Sequence, residues 1–216
     1  MGATDTQLRE VRLQDLRVGA PRPLLSRSAE ARLGPRHREV LDEVEAIFVD
    51  RGFASFTIAD IASQVGCSRR TLYELAPSKD QLVLVVLDRF LHKKGRAAFD
   101  AIDPESRVAD QIRDYVAGGV EFGWEHRFSD DLADDAPARR LVDRHYRFVM
   151  TVVRRLLDHG VERGELRPVD TQVAAAALTG ASLFVSDPDL IDELGRPSRD
   201  VVDQIIDLIV PPLAIT

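Results

Sequence analysis

The 216-residue chain has one cysteine, Cys67, so no disulfide can close within it, and that usage fits a reducing compartment. No apolar run approaches the ~20 residues that a membrane-spanning helix needs. The first residues, MGATDTQLREVRLQDLR, are polar and do not resemble a signal peptide. The expected location is the cytoplasm, with no membrane partner. Strand-like alternation, internal repeats and low-complexity tracts are also lacking. So are the usual marks of an enzyme: there is no glycine-rich phosphate loop and no H-E-x-x-H, and the five histidines, at 37, 92, 126, 145 and 159, show no tight metal spacing. His145 together with the acidic run 130–135 is better read as a solvated loop than as a metal site. The sequence predicts no catalytic residue, no metal and no cofactor.

A basic surplus is lacking as well. Of 29 basic and 36 acidic side chains, 12 of each lie in residues 1–80, so the whole net charge of −7 belongs to residues 81–216. A nucleic-acid surface needs only a local basic patch, and the neutral first part can supply one.

What is present is concentrated in residues 52–79, GFASFTIADIASQVGCSRRTLYELAPSK. Thr57 is a preferred N-cap type with Asp60 three residues on, and Ile58, Ile61, Ala62 and Val65 form one buried helical face. Gly66 follows where a tight turn favours positive φ. Ser68 is a second N-cap, opening a helix that carries Arg69, Arg70, Thr71 and Tyr73 outward and is anchored by Leu72 and Leu75 or Ala76. Pro77 stops that helix, and Ser78-Lys79-Asp80-Gln81 is a capping box for the next. Upstream, a supporting helix is predicted over 36–51 with Val40, Val44, Ile47 and Phe48 on one face and Gly52 at its C-cap. This is a helix-turn-helix, the unit that places one helix in the DNA major groove. Cys67 in the turn reads as a small packing residue, with a redox role as the alternative.

The run from Gly52 to Leu82 resembles the DNA-binding head of the tetracycline-repressor (TetR) family of transcriptional regulators. Thr57, Ile61, Ala62, Gly66, Ser68, Leu72, Tyr73, Ser78, Lys79 and Leu82 match its usual pattern. Ala76 departs from it, where an aromatic is common, and so does Arg70, where a small residue is common. The resemblance is specific over roughly residues 36–90. It implies an all-α fold: a three-helix DNA-binding head with a helix-turn-helix, and a helical C-terminal domain for effector binding and dimerisation. The expected organisation is a flexible N-terminal arm over 1–34, the head over 35–82 and the second domain over 83–216.

The DNA-facing set is then Thr57, Ser68, Arg69, Arg70, Thr71, Tyr73, Ser78 and Lys79. Arginine forks suit guanine O6/N7 or phosphate, Thr71 suits a thymine methyl or phosphate, and the caps at Thr57 and Ser78 suit backbone phosphate beside Lys79. The resemblance implies a phosphate contact for Tyr73. One such head touches few phosphates, so a homodimer on a palindrome in double-stranded DNA is expected. The arm carries arginines at 9, 12, 17, 22, 27 and 32, either to reach a minor groove or as a tail without a role.

Beyond the head, prolines and glycines divide a helical pattern. Helices are predicted over 79–101, 106–123, Pro137 to about His159 with Gly160 and Gly164 as breaks, 171–185 capped by Asp170, and a last one capped by Ser198. The segment 129–135 reads as a loop or short helix, and Pro188 and Pro197 bracket a loop. An unidentified small-molecule effector would sit among Phe90, Phe99, Tyr115, Phe122, Trp124, Tyr146, Phe148 and Met150, with His126 and His145 as polar candidates; ordinary core is the alternative for each. Small residues on 171–185 and the wide apolar face of the last helix suggest a four-helix dimer interface through Val173, Ala177, Gly180, Ala181, Phe184, Val202, Ile205 and Ile209, or else packing within one subunit. The expected function is a ligand-responsive repressor. The alternatives are an activator, or a ligand-binding or protein-interaction module whose head has lost DNA binding.

Overall fold

The computed structural model describes residues 16, 18–120, 126–185 and 187–214, without the side chains of Arg27, Val120 and His126. The N-terminal arm before Leu16, Phe122, Trp124 and the side chain of His126 lie outside the described residues. Among the described residues eleven helices follow in order: α1 Arg27–Arg32, α2 Pro35–Arg51, α3 Ile58–Gln64, α4 Arg69–Leu75, α5 Lys79–Asp100, α6 Val108–Val120, α7 His126–Asp134, α8 Ala136–Glu162, α9 Thr171–Phe184, α10 Pro188–Leu194 and α11 Ser198–Ile209. A 3-10 turn, Pro211–Leu213, closes the described chain. Among the described residues the one β-type pairing is an isolated bridge between Leu166 and Ala214. The fold is all-α.

The chain forms two compact units, and neither is a single stretch of sequence. One holds Arg22–Lys93 and Trp124–Asp143; the other holds Met1–Pro21, Lys94–Gly123 and Arg144–Thr216. Two of the boundaries fall inside α5 and α8, so these two continuous helices belong to both.

The first unit builds around α2, whose Val40, Leu41, Val44 and Phe48 are buried. Phe48 meets the ring of Phe53 at 6.0 Å, and Phe53 meets Phe128 of α7 edge-on at 5.8 Å. Asp131, also on α7, accepts hydrogen bonds from the backbone N–H groups of Phe53 and, at 2.7 Å, Ala54. The acidic segment is therefore a helix that stabilises its neighbour, because the Asp131 carboxylate accepts from the N–H groups of the turn that follows α2. Gly52 sits at that end with φ of 73°, and a Cβ there would run into Asp131 and the Arg127 carbonyl. Part of the segment expected as an arm is tied down too. Ser26 caps α1, the Leu24 N–H donates to the buried Asp88 at 2.7 Å, and Glu30 pairs with Arg89. Lys93 bridges Asp42 and Glu45 of α2 at 2.9 and 3.0 Å. Burial opposes its charge, but those bonds outweigh the burial and hold its ammonium above the ordinary value.

The second unit has its core where α5, α6, α8, α9 and α11 contribute Phe99, Ile112, Val152, Leu156, Leu178 and Ile206. Val18 joins this core from the N-terminal segment. The glycine at 160 does not break α8, which continues to Glu162. It is instead a point of close approach: a Cβ would stand 2.6 Å from Leu166 Cδ1 and 3.0 Å from Val108 Cγ1. The break comes at Gly164, with φ of 69°. Glu165 then accepts from the N–H of Val108 at 2.8 Å, satisfying the start of α6. Two further expectations need correction. The segment between Pro188 and Pro197 is not a loop, because Asp187 caps α10 and Gly195, in the left-handed region, ends it. Ser198 is the first residue of α11 and makes no side-chain cap; Pro197 stands in the N-cap position.

Candidate nucleic-acid interface and effector cavity

Local chemistry dictates the helix-turn-helix. Thr57 Oγ1 accepts from the Asp60 N–H at 3.2 Å and Asp60 Oδ2 accepts from the Thr57 N–H at 2.8 Å, a complete capping box. The Thr57 hydroxyl and then its N–H hold the Asp60 carboxyl below its ordinary value. Gly66 turns the chain with φ of 59°, and Ser68 Oγ accepts from the Thr71 N–H at 3.1 Å to start α4. Ile61, Ala62, Leu72, Leu75 and Ala76 are buried beneath. That leaves Thr57, Ser68, Arg69, Arg70 and Tyr73 exposed, with Thr71, Ser78 and Lys79 half-buried.

Three contacts here are not apparent from sequence. Arg36, at the start of α2, donates to the carbonyls of Val65 at 2.9 Å and Gly66 at 3.3 Å, while Glu39 and Glu43 hold its other nitrogen. It fastens the turn to the supporting helix. Glu74 accepts from Arg70 Nε at 3.1 Å and lies 3.3 Å from His37 Nε2. Its carboxyl is held below the ordinary value by Arg70 first and His37 next. Lys79 Nζ donates to the Ala54 carbonyl at 2.7 Å, so in this structure it closes the turn before α3. Ser78 Oγ accepts from the Gln81 N–H at 3.2 Å. The Cys67 thiol is raised by burial, which opposes thiolate chemistry there.

The second unit contains a cavity of about 50 Å³ between α5, α6, α8 and α9. Tyr115, His145 and Tyr146, three of the candidates named from sequence, line it together with Lys94, Gly95, Ala98, Val116, Gly119, Val149, Thr179, Ser182 and Leu183. The other aromatic candidates are placed elsewhere. Phe99 packs against Tyr115 at 5.1 Å and against Phe148 at 6.1 Å in the core, Phe90 packs against Phe128 in the first unit, and Met150 borders a separate hollow of about 130 Å³ with Arg154, Arg155 and Gln172. Sequence reasoning favoured aromatics and overlooked Lys94, Thr179 and Ser182. Burial pushes the Lys94 ammonium down to about 8.

The expected interface residues divide. Val173, Ala177, Gly180 and Phe184 lie on one exposed face of α9, with Phe184 68% exposed. Ala181, Ile205 and Ile209 are half-buried, and Leu208 of α11 is 76% exposed. Val202 is fully buried and belongs to the core of its own unit.

Comparison with known proteins matches this geometry. The family profile described as "Bacterial regulatory proteins, tetR family" fits residues 40–86, the segment from mid-α2 into α5. The uncharacterized HTH-type transcriptional regulator YvaF of Bacillus subtilis (strain 168) is 24% identical over 176 residues, covering 80% of this chain and 92% of its own. Among solved structures, SmeT, the repressor of the Stenotrophomonas maltophilia multidrug efflux pump SmeDEF, aligns with TM-score 0.62 at 17% identity over 83% of this chain and 90% of its own; its triclosan complex aligns at 0.66. AibR in complex with isovaleryl coenzyme A and operator DNA aligns with TM-score 0.61 at 19% identity over 82% and 98%. The capped helix-turn-helix on its supporting helix thus lies in the segment that the tetR-family model matches, and along most of its length the chain resembles HTH-type transcriptional regulators and shares their all-α fold.

Proposed function

We propose that the protein is a ligand-responsive repressor that binds a palindromic operator as a homodimer. The exposed outer face of α4 is the observation that carries this reading. Leu72 and Leu75 lock the helix from below, so Arg69, Arg70 and Tyr73 are presented without taking part in the core. Guanidinium forks at the N-terminal end of such a helix meet base edges or phosphates, and the N-termini of α3 and α5 add backbone N–H groups for phosphate. Two heads, each in a major groove about one helical turn apart, multiply the contacts that one head lacks.

The second copy would dock on the exposed apolar face of α9 with Leu208 of α11. Residues such as Phe184 and Leu208 are costly to leave in water, and Ala177 and Gly180 allow a close helix approach. The effector would occupy the cavity of the second unit. Helix α5 leads from the head into that unit and is the lever by which occupancy would bias the head arrangement, provided the ligand prefers one state. SmeT with triclosan and AibR with a ligand and operator DNA support this reading by analogy of fold.

The test is a mobility shift and footprint on DNA flanking the gene, repeated across a salt series. A protected palindrome whose affinity falls with salt, and which Arg70→Ala weakens, supports the proposal. A folded dimer with no specific site, even in selection from random DNA, would instead make the head vestigial.

A further inference from the structure

The two arginines that open α4 are both exposed, but they are held differently. Arg69 makes no side-chain hydrogen bond or ion pair among the described residues. Arg70, with its side chain 88% exposed, donates from Nε to Glu74 Oε1 at 3.1 Å, one helical turn further on. The second carboxylate oxygen, Glu74 Oε2, lies 3.3 Å from His37 Nε2 on α2. Glu74 is therefore engaged on both oxygens, by partners from two helices. The contact with Arg70 runs through Nε alone, and the two terminal nitrogens make no bond among the described residues. A guanidinium is planar and rigid, so a bond at Nε sets the plane in which its terminal N–H groups lie. A side chain already held in this way loses less rotamer freedom when a partner orders it.

We propose, building on the operator-binding reading above, that Arg70 reads a guanine in each operator half-site through its two terminal nitrogens and that Glu74 is the positioning residue that aims it. Guanine presents O6 and N7 side by side in the major groove, and no other base offers two adjacent acceptors there. A fork whose plane is set in advance matches that pair. A phosphate accepts from many directions and needs no such orientation. Glu74 also places a carboxylate, half exposed, on the helix that approaches the phosphate backbone, where like charges repel. It therefore weakens binding to any DNA and favours binding where Arg70 finds its base, which separates specific from non-specific sites. Arg69, with no partner to orient it, suits phosphate. A glutamate can itself accept from the cytosine amino group, but both Glu74 oxygens are already engaged by Arg70 and His37.

The test starts from the operator that the full-length protein selects from random DNA. Each guanine of a half-site is replaced in turn by an analogue with carbon in place of N7, and by hypoxanthine, which keeps O6 and N7 and lacks only the minor-groove amine. Affinity is measured for wild type, Arg70→Ala, Glu74→Gln and Glu74→Ala, with thermal unfolding as the check on folding. At one guanine, loss of N7 is expected to weaken wild type about tenfold while hypoxanthine does not, and Arg70→Ala is expected to be blind to that loss. Glu74→Ala should lower the preference for this guanine over the other bases about threefold, while its binding to non-specific DNA is unchanged or tighter. Glu74→Gln keeps an acceptor for Arg70 Nε and should fall between wild type and Glu74→Ala. Glu74→Ala weakening all DNA equally would make Glu74 a structural residue and overturn the proposal. So would an N7 effect that persists in Arg70→Ala, or Glu74→Ala losing a cytosine preference while the guanine preference stays. The selection separates this proposal from the reading on which it rests. A folded protein that selects no site refutes operator binding and this assignment with it, whereas a selected operator with no guanine sensitive at N7 refutes the assignment alone.

Discussion

Arg69 and Arg70 on α4 and Lys94 on α5 are cations in opposite surroundings. The arginines stand in solvent on a helix whose start is fixed by a neighbouring serine. The lysine stands in an apolar wall assembled from four helices far apart in sequence. In the first case charge costs nothing to hold and can be offered to a highly charged partner. In the second, charge is held against burial, which disfavours the ammonium. The two units thus present their positive charge by different means, exposure in one and desolvation in the other.

Removing the floor beneath the exposed pair is the strongest way to break this contrast. Leu72→Ala opens a cavity under α4 and should cost about 2–5 kcal/mol. Hydrogen exchange is expected to show α3 and α4 losing protection while the core of the second unit keeps it, and equal loss in both units would show that they fold as one. Lys94→Met is next, with opposite sign. The folded-state value of about 8 lies below the ~10.4 of an unfolded lysine. Below pH 8 both states are protonated and the cost of burying the charge is fully present. Between pH 8 and ~10.4 the unfolded state binds the extra proton, so stability from this group rises with pH. Lys94→Met should therefore stabilise the ligand-free protein at pH 7 by on the order of 3 kcal/mol. The gain over wild type should shrink toward pH 10, as denaturant unfolding across that range will show.

Arg70→Ala probes the exposed side. Operator affinity should fall by about 1–3 kcal/mol while thermal stability stays near wild type, because the one lost ion pair, with Glu74, is solvent-exposed. A large drop in melting temperature would make Arg70 a structural residue. The smallest effect is expected from Thr57→Ala, which removes one side of the capping box and should cost about 1 kcal/mol in unfolding experiments.

The head was legible in sequence because its determinants are local. Thr57 with Asp60, Ser68 with Thr71 and Gly66 between them act within a few residues, and each was found where spacing placed it. The second unit was read less well because its determinants are distant. Gly160 looks like a helix breaker until Leu166 and Val108 are seen against it. The same distance hides one contact of the first unit: Asp131 looks like part of a solvated acidic run until the Phe53 and Ala54 N–H groups are seen to need it. Val202 belongs to the same apolar helix as Leu208, yet one is core and the other surface, and only packing separates them. The cavity was expected to be aromatic, but Phe99 and Phe148 stand in the core and the distinctive group is Lys94, which in sequence is one of two adjacent lysines.

Arg36 has a consequence for engineering. Its guanidinium spans from the first turn of α2 to carbonyls 29 and 30 residues later, so the geometry of the turn is partly encoded outside the segment that looks like the motif. A chimera that transplants residues 57–76 onto another regulator would leave that clasp behind, whereas a graft beginning at residue 35 would carry it. Operator specificity should be reprogrammed by exchanging Arg69, Arg70 and Tyr73 within the native scaffold, since that alters the reading surface and leaves the clasp in place.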